Sequence, residues 1–309
     1  MVALRARLRG LQPLVAVAGV LALAACAAPA AHDEDFGASQ LATQIQRRPV
    51  VLLGEIHDNA NQHAVRAQAL ALVLQAGLRP ALAFEQFDRE RQSDIDRVLS
   101  HGEGDGVDRA KRLAMLGGRG WNWDLYRPFL ELALQYQLPI VAANLSRADA
   151  MRVSQEGFGA VFNPAEQRRL GLDRLSADLL QAQEDAIDEG HCHQMDEQML
   201  PAIARAQIAR DATLAQSISP YLQRGVILLT GNGHARRDIG VPHFLPAQQQ
   251  ERVVSIALLE RGTPAEAAPD GAYDAVFRTP AQSRADPCES LRRKALTPGP
   301  NPAVAGKGS

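Results

Sequence analysis

Val50-Val51-Leu52-Leu53-Gly54-Glu55-Ile56-His57-Asp58 sets four apolar residues directly before a glycine, two carboxylates and a histidine. A continuous apolar run of this length reads as a strand buried on both faces, the habit of parallel sheets. Residues 59–75 then carry apolar positions at helical spacing, with Asp58 or Asn59 as N-cap and Gly77 as C-terminal stop. A strand, a polar turn and a helix are therefore expected in succession.

The pattern recurs along the chain. Ala81-Leu82-Ala83-Phe84, Pro139-Ile140-Val141-Ala142, Val226-Ile227-Leu228-Leu229 and Val253-Val254-Ser255-Ile256-Ala257 read as buried strands, with a further strand expected across residues 272–277. Strands alternating with helical patterns specify an α/β fold with a mainly parallel sheet. Residues 148–223 are too long for one crossover helix and read as a helical insertion, with helices near 164–172, 177–187 and 194–217, lidding one edge of the sheet. Beyond Arg261 the chain turns rich in Pro, Ala, Gly and Ser, and disorder is expected from Thr279 onward.

Parallel strands share a direction, so the residues that follow them share an edge, where ligands of open α/β sheets bind. Glu55, His57 and Asp58 follow the first burst, Glu85 and Gln86 the second, Asn144 the third, and Gly231-Asn232-Gly233-His234 the fourth. Singly, each has an ordinary explanation: a helix cap, an ion pair, a packed histidine. Together, two histidines and two carboxylates at one edge concentrate charge that a metal, cation or substrate must offset. Gly54-x-x-His57 and Gly231-x-x-His234 repeat one pattern, the glycine permitting a tight turn that aims the imidazole across the crevice. Imidazole suits zinc, iron or haem iron, and Glu55 can complete a divalent-metal site with His57 and His234. Glu55 and Glu85 are also candidate general bases for hydrolysis. Gly231-x-Gly233 lacks the third glycine and downstream acid of a dinucleotide loop.

At the N-terminus, Arg5, Arg7 and Arg9 precede an apolar run over residues 11–25, and the first acid is Asp33. That is a signal peptide over residues 1–25. The run is shorter than the ~20 residues needed to span a bilayer. It ends at Leu23-Ala24-Ala25-Cys26, where small residues suit a peptidase and the Cys26 thiol can carry lipid. Residues 26–39 then form a lipidated tether, 40–261 one domain, and 262–309 a mostly disordered tail. Ala27, rather than Asp, after Cys26 agrees with an outer-membrane address, facing the periplasm or the cell surface. The formal net charge of -2 comes with no basic block, so nucleic acid is not an expected partner. Of three cysteines, Cys192 and Cys288 remain after Cys26, and the sequence leaves their pairing open.

Seven patterns occur in order: Gly54-Glu55-x-His57-Asp58, Phe84-Glu85-Gln86, Trp121-x-Trp123-x-x-Tyr126, Ala142-Ala143-Asn144-Leu145, Gly190-His191-Cys192, Gln207-x-x-Arg210-Asp211 and Gly231-Asn232-Gly233-His234. Behind a lipid-attachment signal, this set resembles the ChaN-type lipoproteins of the haem-binding uptake and Tiki superfamily, over about residues 40–259. The resemblance implies a three-layer α/β/α domain, haem binding in iron uptake, and cofacial haems between two protomers of a homodimer. It also implies a hydrolytic alternative, since the Tiki and erythromycin-esterase-like branches use positions matching Glu55, His57, Glu85 and His234. Binding is favoured over enzymatic function.

One departure concerns the iron ligand. Haem binders of this type carry a tyrosine soon after the second Gly-x-x-His, whereas this chain reads Ala235-Arg236-Arg237-Asp238 and onward to His243. Arg236 and Arg237 are expected to pair with haem propionates, and His243 to replace the missing ligand. His191 is expected to line the pocket from the insertion, and Arg210 to face it from the following helix, where Gln207, Arg210 and Asp211 share a face. Trp121, Trp123 and Tyr126 read mainly as anchors of a loop on the core, with stacking on a porphyrin as the alternative. His63 lies too far around its helix from His57 to be more than a supporting residue.

Overall fold

In the computed structural model, residues 37–101, 105–263, 269–286 and 288–289 are described. The signal peptide, Cys26 and most of the tether lie outside them. The strands are β1 (Val50–Leu53), β2 (Ala81–Asp88), β3 (Ile140–Asn144), β4 (Val226–Leu229), β5 (Val253–Glu260) and β6 (Ala275–Thr279). They form one six-stranded sheet in the order β3-β2-β4-β1-β5-β6, every neighbouring pair parallel.

Residues alternate across each strand, and because both faces of a parallel sheet are covered, both sets are apolar. Val50, Leu52, Ala81, Ala83, Val226 and Leu228 enter one core. Val51, Leu53, Leu82, Phe84, Ile227 and Leu229 enter the other. The second face is covered by α1 (Ala38–Ile45), α2 (Ala60–Gln75), α3 (Gln92–His101), α4 (Gly106–Leu116) and α5 (Trp123–Gln135). The first is covered by α6 (Arg147–Glu156), α7 (Pro164–Leu170), α8 (Ala177–Gly190) and α9 (Leu200–Ile218). The fold is thus a three-layer α/β/α sandwich, as the family resemblance implied. The short α10 (Asn232–Ala235) follows β4 directly.

Helix boundaries follow local chemistry. The Asn59 side chain accepts from the Gln62 amide and caps α2, and Gly77 at φ +96 turns the chain beyond it. The insertion makes a full layer rather than an edge lid. Ala204, Ile208, Ala212 and Ala215 on α9 are small or apolar and fully buried, so the helix lies flat on the sheet face. Its first helix, α6, was not legible as a separate element.

The tail also differs from expectation. Over residues 280–284, where disorder was expected, the Pro280 carbonyl accepts from Asn59 and Arg284 forks onto Asp58 and Glu260. Cys192 and Cys288 form a disulfide with a Cα–Cα separation of 5.6 Å. No helix among the described residues is long and apolar enough to cross a membrane.

Candidate functional site

The turns after β1, β3 and β4, the outer end of β2 and one face of α9 surround a cleft of about 880 Å³. Its wall includes Glu55, His57, Glu85, Asn144, Arg210 and His234, so most of the strand-end residues converge, while Asp58 and Gln86 do not line it. Glu85 reaches the site because β2 runs four residues past Phe84, the last residue paired with β4, through an irregularity in its register with β3.

Glu55 is the buried hub of one half. Its Oε1 accepts from Tyr126 at 2.5 Å and lies 3.0 Å from His57 Nδ1. Its Oε2 faces His63 Nε2 at 3.2 Å and forms an ion pair with Arg66. Arg66 and Glu55 are both withdrawn from solvent, and burial lowers the guanidinium pKa to about 10. His63 is pushed down to about 4 by burial, so it stays neutral and can donate one hydrogen bond. This shell fixes the carboxylate that fixes His57.

His57 itself differs from every buried neighbour. Its side chain is 46% exposed, Trp121 meets its ring edge-on at 4.7 Å, and Nδ1 is committed to Glu55. The ring lies over Gly231, where a β-carbon would stand 2.9 Å from His57 Cε1 and 3.1 Å from Nε2. Nε2 has no hydrogen-bond partner among the described residues and opens onto the cleft.

The other half is a buried line of three residues. Asp211 Oδ1 lies 2.6 Å from His234 Nδ1, and His234 Nε2 faces Glu85 Oε1 at 3.5 Å. Thr230 and the Gly231 amide donate to Glu85 Oε2 at 2.7 and 2.8 Å. Burial disfavours the His234 cation, but the two flanking carboxylates outweigh it and raise the imidazole to about 10. Burial would raise Glu85 likewise, yet His234 and the Gly231 amide hold it well below the usual carboxylate range. Asp211 is pushed up by burial, against the pull of His234.

The structure does not bring all the expected residues together. Arg236 lies at the C-terminal cap of α10 and pairs with Asp238 at 2.6 Å. Arg237 turns toward Asp274 and the Val253 carbonyl. His243 lies in a separate small pocket with Arg169 and Arg174, and His191 bonds the Ile187 carbonyl at the end of α8. None of these four lines the cleft. Instead Arg119 and Arg147, exposed and without an ion-pair partner among the described residues, stand at its wall with Arg210. Arg210 is oriented by Asn144 Oδ1 at 3.1 Å and the Leu145 carbonyl at 2.8 Å. Trp121 lines the cleft, Trp123 stacks beside Phe87, and Tyr126 is fully buried. Among the described residues no group of three or more His, Cys, Asp or Glu could hold a metal ion.

A family model described as "Haem-binding uptake, Tiki superfamily, ChaN" matches residues 41–245, the sheet through β4 and all the residues of the cleft. The chain belongs to this family. The fold is shared with a solved ChaN structure. ChaN of Campylobacter jejuni, described in terms of cofacial haem binding, aligns with a TM-score of 0.57 at 18% identity, over 71% of this chain and 85% of that one. The type III effector HopBA1 gives 0.46 at 14% identity, over 79% and 94%. A mutant of the erythromycin esterase EreC in its open conformation gives 0.42 at 13% identity, over 84% and 83%. The comparison with curated proteins finds no match.

Proposed function

We propose that this ChaN-family chain binds haem in the cleft, with His57 as the protein ligand of the iron. The observation that carries the reading is the His57 geometry: Nδ1 fixed by buried Glu55 and Nε2 open on the cleft. A carboxylate behind a histidine sets the tautomer and the ring orientation that present the far nitrogen to a metal. When bound, haem supplies iron for transfer or storage. Trp121 offers an aromatic edge beside the ligand, and Arg119, Arg147 and Arg210 offer guanidinium groups for its carboxylates. His234 does not fit as an iron ligand, because its ring nitrogens face Asp211 and Glu85 and it holds its proton.

The test is a haem titration of the purified protein followed by absorbance. A saturable Soret shift lost in His57→Ala supports the reading; its absence in the unaltered protein would overturn it. The setting is also part of the proposal: export, lipidation at Cys26, attachment at the outer membrane, and a role in haem or iron uptake. Palmitate labelling should be lost in Cys26→Ser. A homodimer with the two clefts facing belongs to the same reading, and sedimentation with and without haem tests it.

The buried Asp211–His234–Glu85 line favours a second reading, hydrolysis. Glu55 and Glu85 are poor general bases in this geometry, because their oxygens are already engaged by donors and Glu85 is held strongly acidic. His57 would take the proton from water, with the cationic His234 and Arg210 facing developing negative charge. Turnover of simple carboxylic esters, abolished by His57→Ala with no Soret shift in the unaltered protein, would favour this reading.

A further inference from the structure

The matched family region ends at residue 245, yet the segment after β6 makes specific contacts with the turn that carries His57. Arg284 Nε and Nη2 donate to Asp58 at 2.8 and 2.7 Å, and Nη1 and Nη2 donate to Glu260 at 2.8 and 2.7 Å. One guanidinium therefore bridges the residue next to His57 and the end of β5. Glu260 also accepts from the Gln282 amide at 2.8 Å and from Asn59 Nδ2 at 2.7 Å. Asn59 Nδ2 reaches the Pro280 carbonyl as well, at 3.0 Å.

A second path enters the same turn from β6. Thr279 Oγ1 accepts from Gln62 Nε2 at 3.0 Å, and Gln62 Oε1 accepts from the Ile56 amide at 2.7 Å. Asp58, Asn59 and Ile56 are thus each tied to the tail directly or through one side chain. The tail is bracketed by β6 at Thr279 and by the Cys192–Cys288 disulfide just beyond Arg284.

We infer that residues 279–286 are a strap that positions the His57 turn, with Arg284 as the positioning residue and the Cys192–Cys288 disulfide as its latch. A salt bridge as open as Arg284 to Asp58 holds little by itself, since water and side-chain entropy compete with it. Closing the strap at both ends raises the local concentration of Arg284 at Asp58 and makes the contact persistent. Both cysteines are half-buried rather than enclosed. A dithiol reductant can therefore open the latch: the S–S bond takes two electrons and two protons to give two thiols, and the dithiol closes its own disulfide. The strap thereby couples the redox state of the Cys192–Cys288 pair to the placement of His57.

The inference rests on the proposed role of His57 for its functional consequence, and the experiment separates the two. Amide hydrogen exchange over residues 54–62 and the His57 imidazole NMR signal are measured in the full protein without any ligand, alongside haem titration. Arg284→Gln is expected to speed exchange across 54–62, to move the His57 signal and to weaken haem about tenfold, the scale of one lost charge-assisted contact. Arg284→Lys should recover part of each. Dithiol treatment should reproduce the Arg284→Gln pattern in the unaltered protein and add nothing to Cys288→Ser. Unchanged exchange and an unchanged His57 signal in both Arg284→Gln and the reduced protein would overturn the strap. If the exchange and imidazole changes appear but the unaltered protein never binds haem, the strap stands and the haem reading falls.

Discussion

His234 Nδ1 stands 2.6 Å from Asp211 Oδ1 on α9, while Glu85 from β2 closes on the opposite nitrogen. Three elements thus meet on one buried proton, and its titration is a stability statement. The folded His234 pKa is raised from 6.5 to about 10, because the attraction of the two carboxylates exceeds the cost of burial. A raised pKa contributes stability that is complete below the unfolded value and drains as pH climbs through the folded one. Denaturant unfolding should therefore show the stability gap between the unaltered protein and His234→Gln shrinking from about pH 6.5 to about pH 10. A gap independent of pH over that window would contradict a protonated His234. Asp211→Asn should lower the imidazole pKa, read by NMR.

Gly231 and His57 form the second test. Gly231 has φ -67 and ψ 154, a conformation any residue adopts, so alanine there brings no backbone strain. Its β-carbon, however, would meet the His57 ring at 2.9 Å. Gly231→Ala is expected to displace the ring and weaken haem binding at least tenfold, while unfolding stability changes by less than about 1 kcal/mol. Loss of stability without loss of binding would show that the ring does not rest on Gly231.

The arginines of the cleft carry a prediction on ligand chemistry. Arg119 and Arg147 stand at its wall without carboxylate partners among the described residues. If they meet the haem carboxylates, Arg119→Ala with Arg147→Ala weakens haem by about 1–2 kcal/mol in all, a discount from buried pairs because both are exposed. The dimethyl ester of haem should bind the unaltered protein and the double variant alike. Equal losses for haem and its ester would assign these arginines a purely structural part.

How much of this could be read beforehand depends on range along the chain. Strand bursts such as Val50-Val51-Leu52-Leu53 and Val226-Ile227-Leu228-Leu229 are local signals, and parallel strands necessarily send Glu55, His57, Asn144 and His234 to one edge. Arg236 and Arg237 misled because nearness in sequence to His234 is not nearness in space: α10 ends at Ala235 and the chain turns away. The shell around Glu55 was hidden by composition, since an arginine in a helix ordinarily faces water. A signal did exist. His63, Arg66, Leu70 and Val73 fall at helical spacing on the buried stripe of α2, and a charge on such a stripe requires a buried partner. The tail contacts had no such signal, because Pro, Ala and Gly enrichment there outweighs a single Arg284.

That buried partner is the sharpest stability prediction. Arg66 is fully enclosed, forms an ion pair with Glu55 and donates from Nη2 to the Leu53 carbonyl at 2.9 Å, so it ties α2 to the end of β1. Removing one member of a buried pair strands the other as an uncompensated charge and costs about 3–5 kcal/mol, whereas replacing both with apolar groups is often neutral. Arg66→Met should therefore destabilise by about that amount, and Glu55→Gln by a comparable amount through the stranded guanidinium. The double variant Glu55→Leu with Arg66→Met should regain most of the loss in denaturant unfolding. It should still fail to orient His57, since Nδ1 has lost its acceptor. Recovery of stability without recovery of binding would separate the two duties of Glu55, neutralising Arg66 and aiming His57. A double variant as unstable as the singles would mean that the hydrogen bond from Tyr126 to Glu55, not the ion pair, holds this end of the sheet.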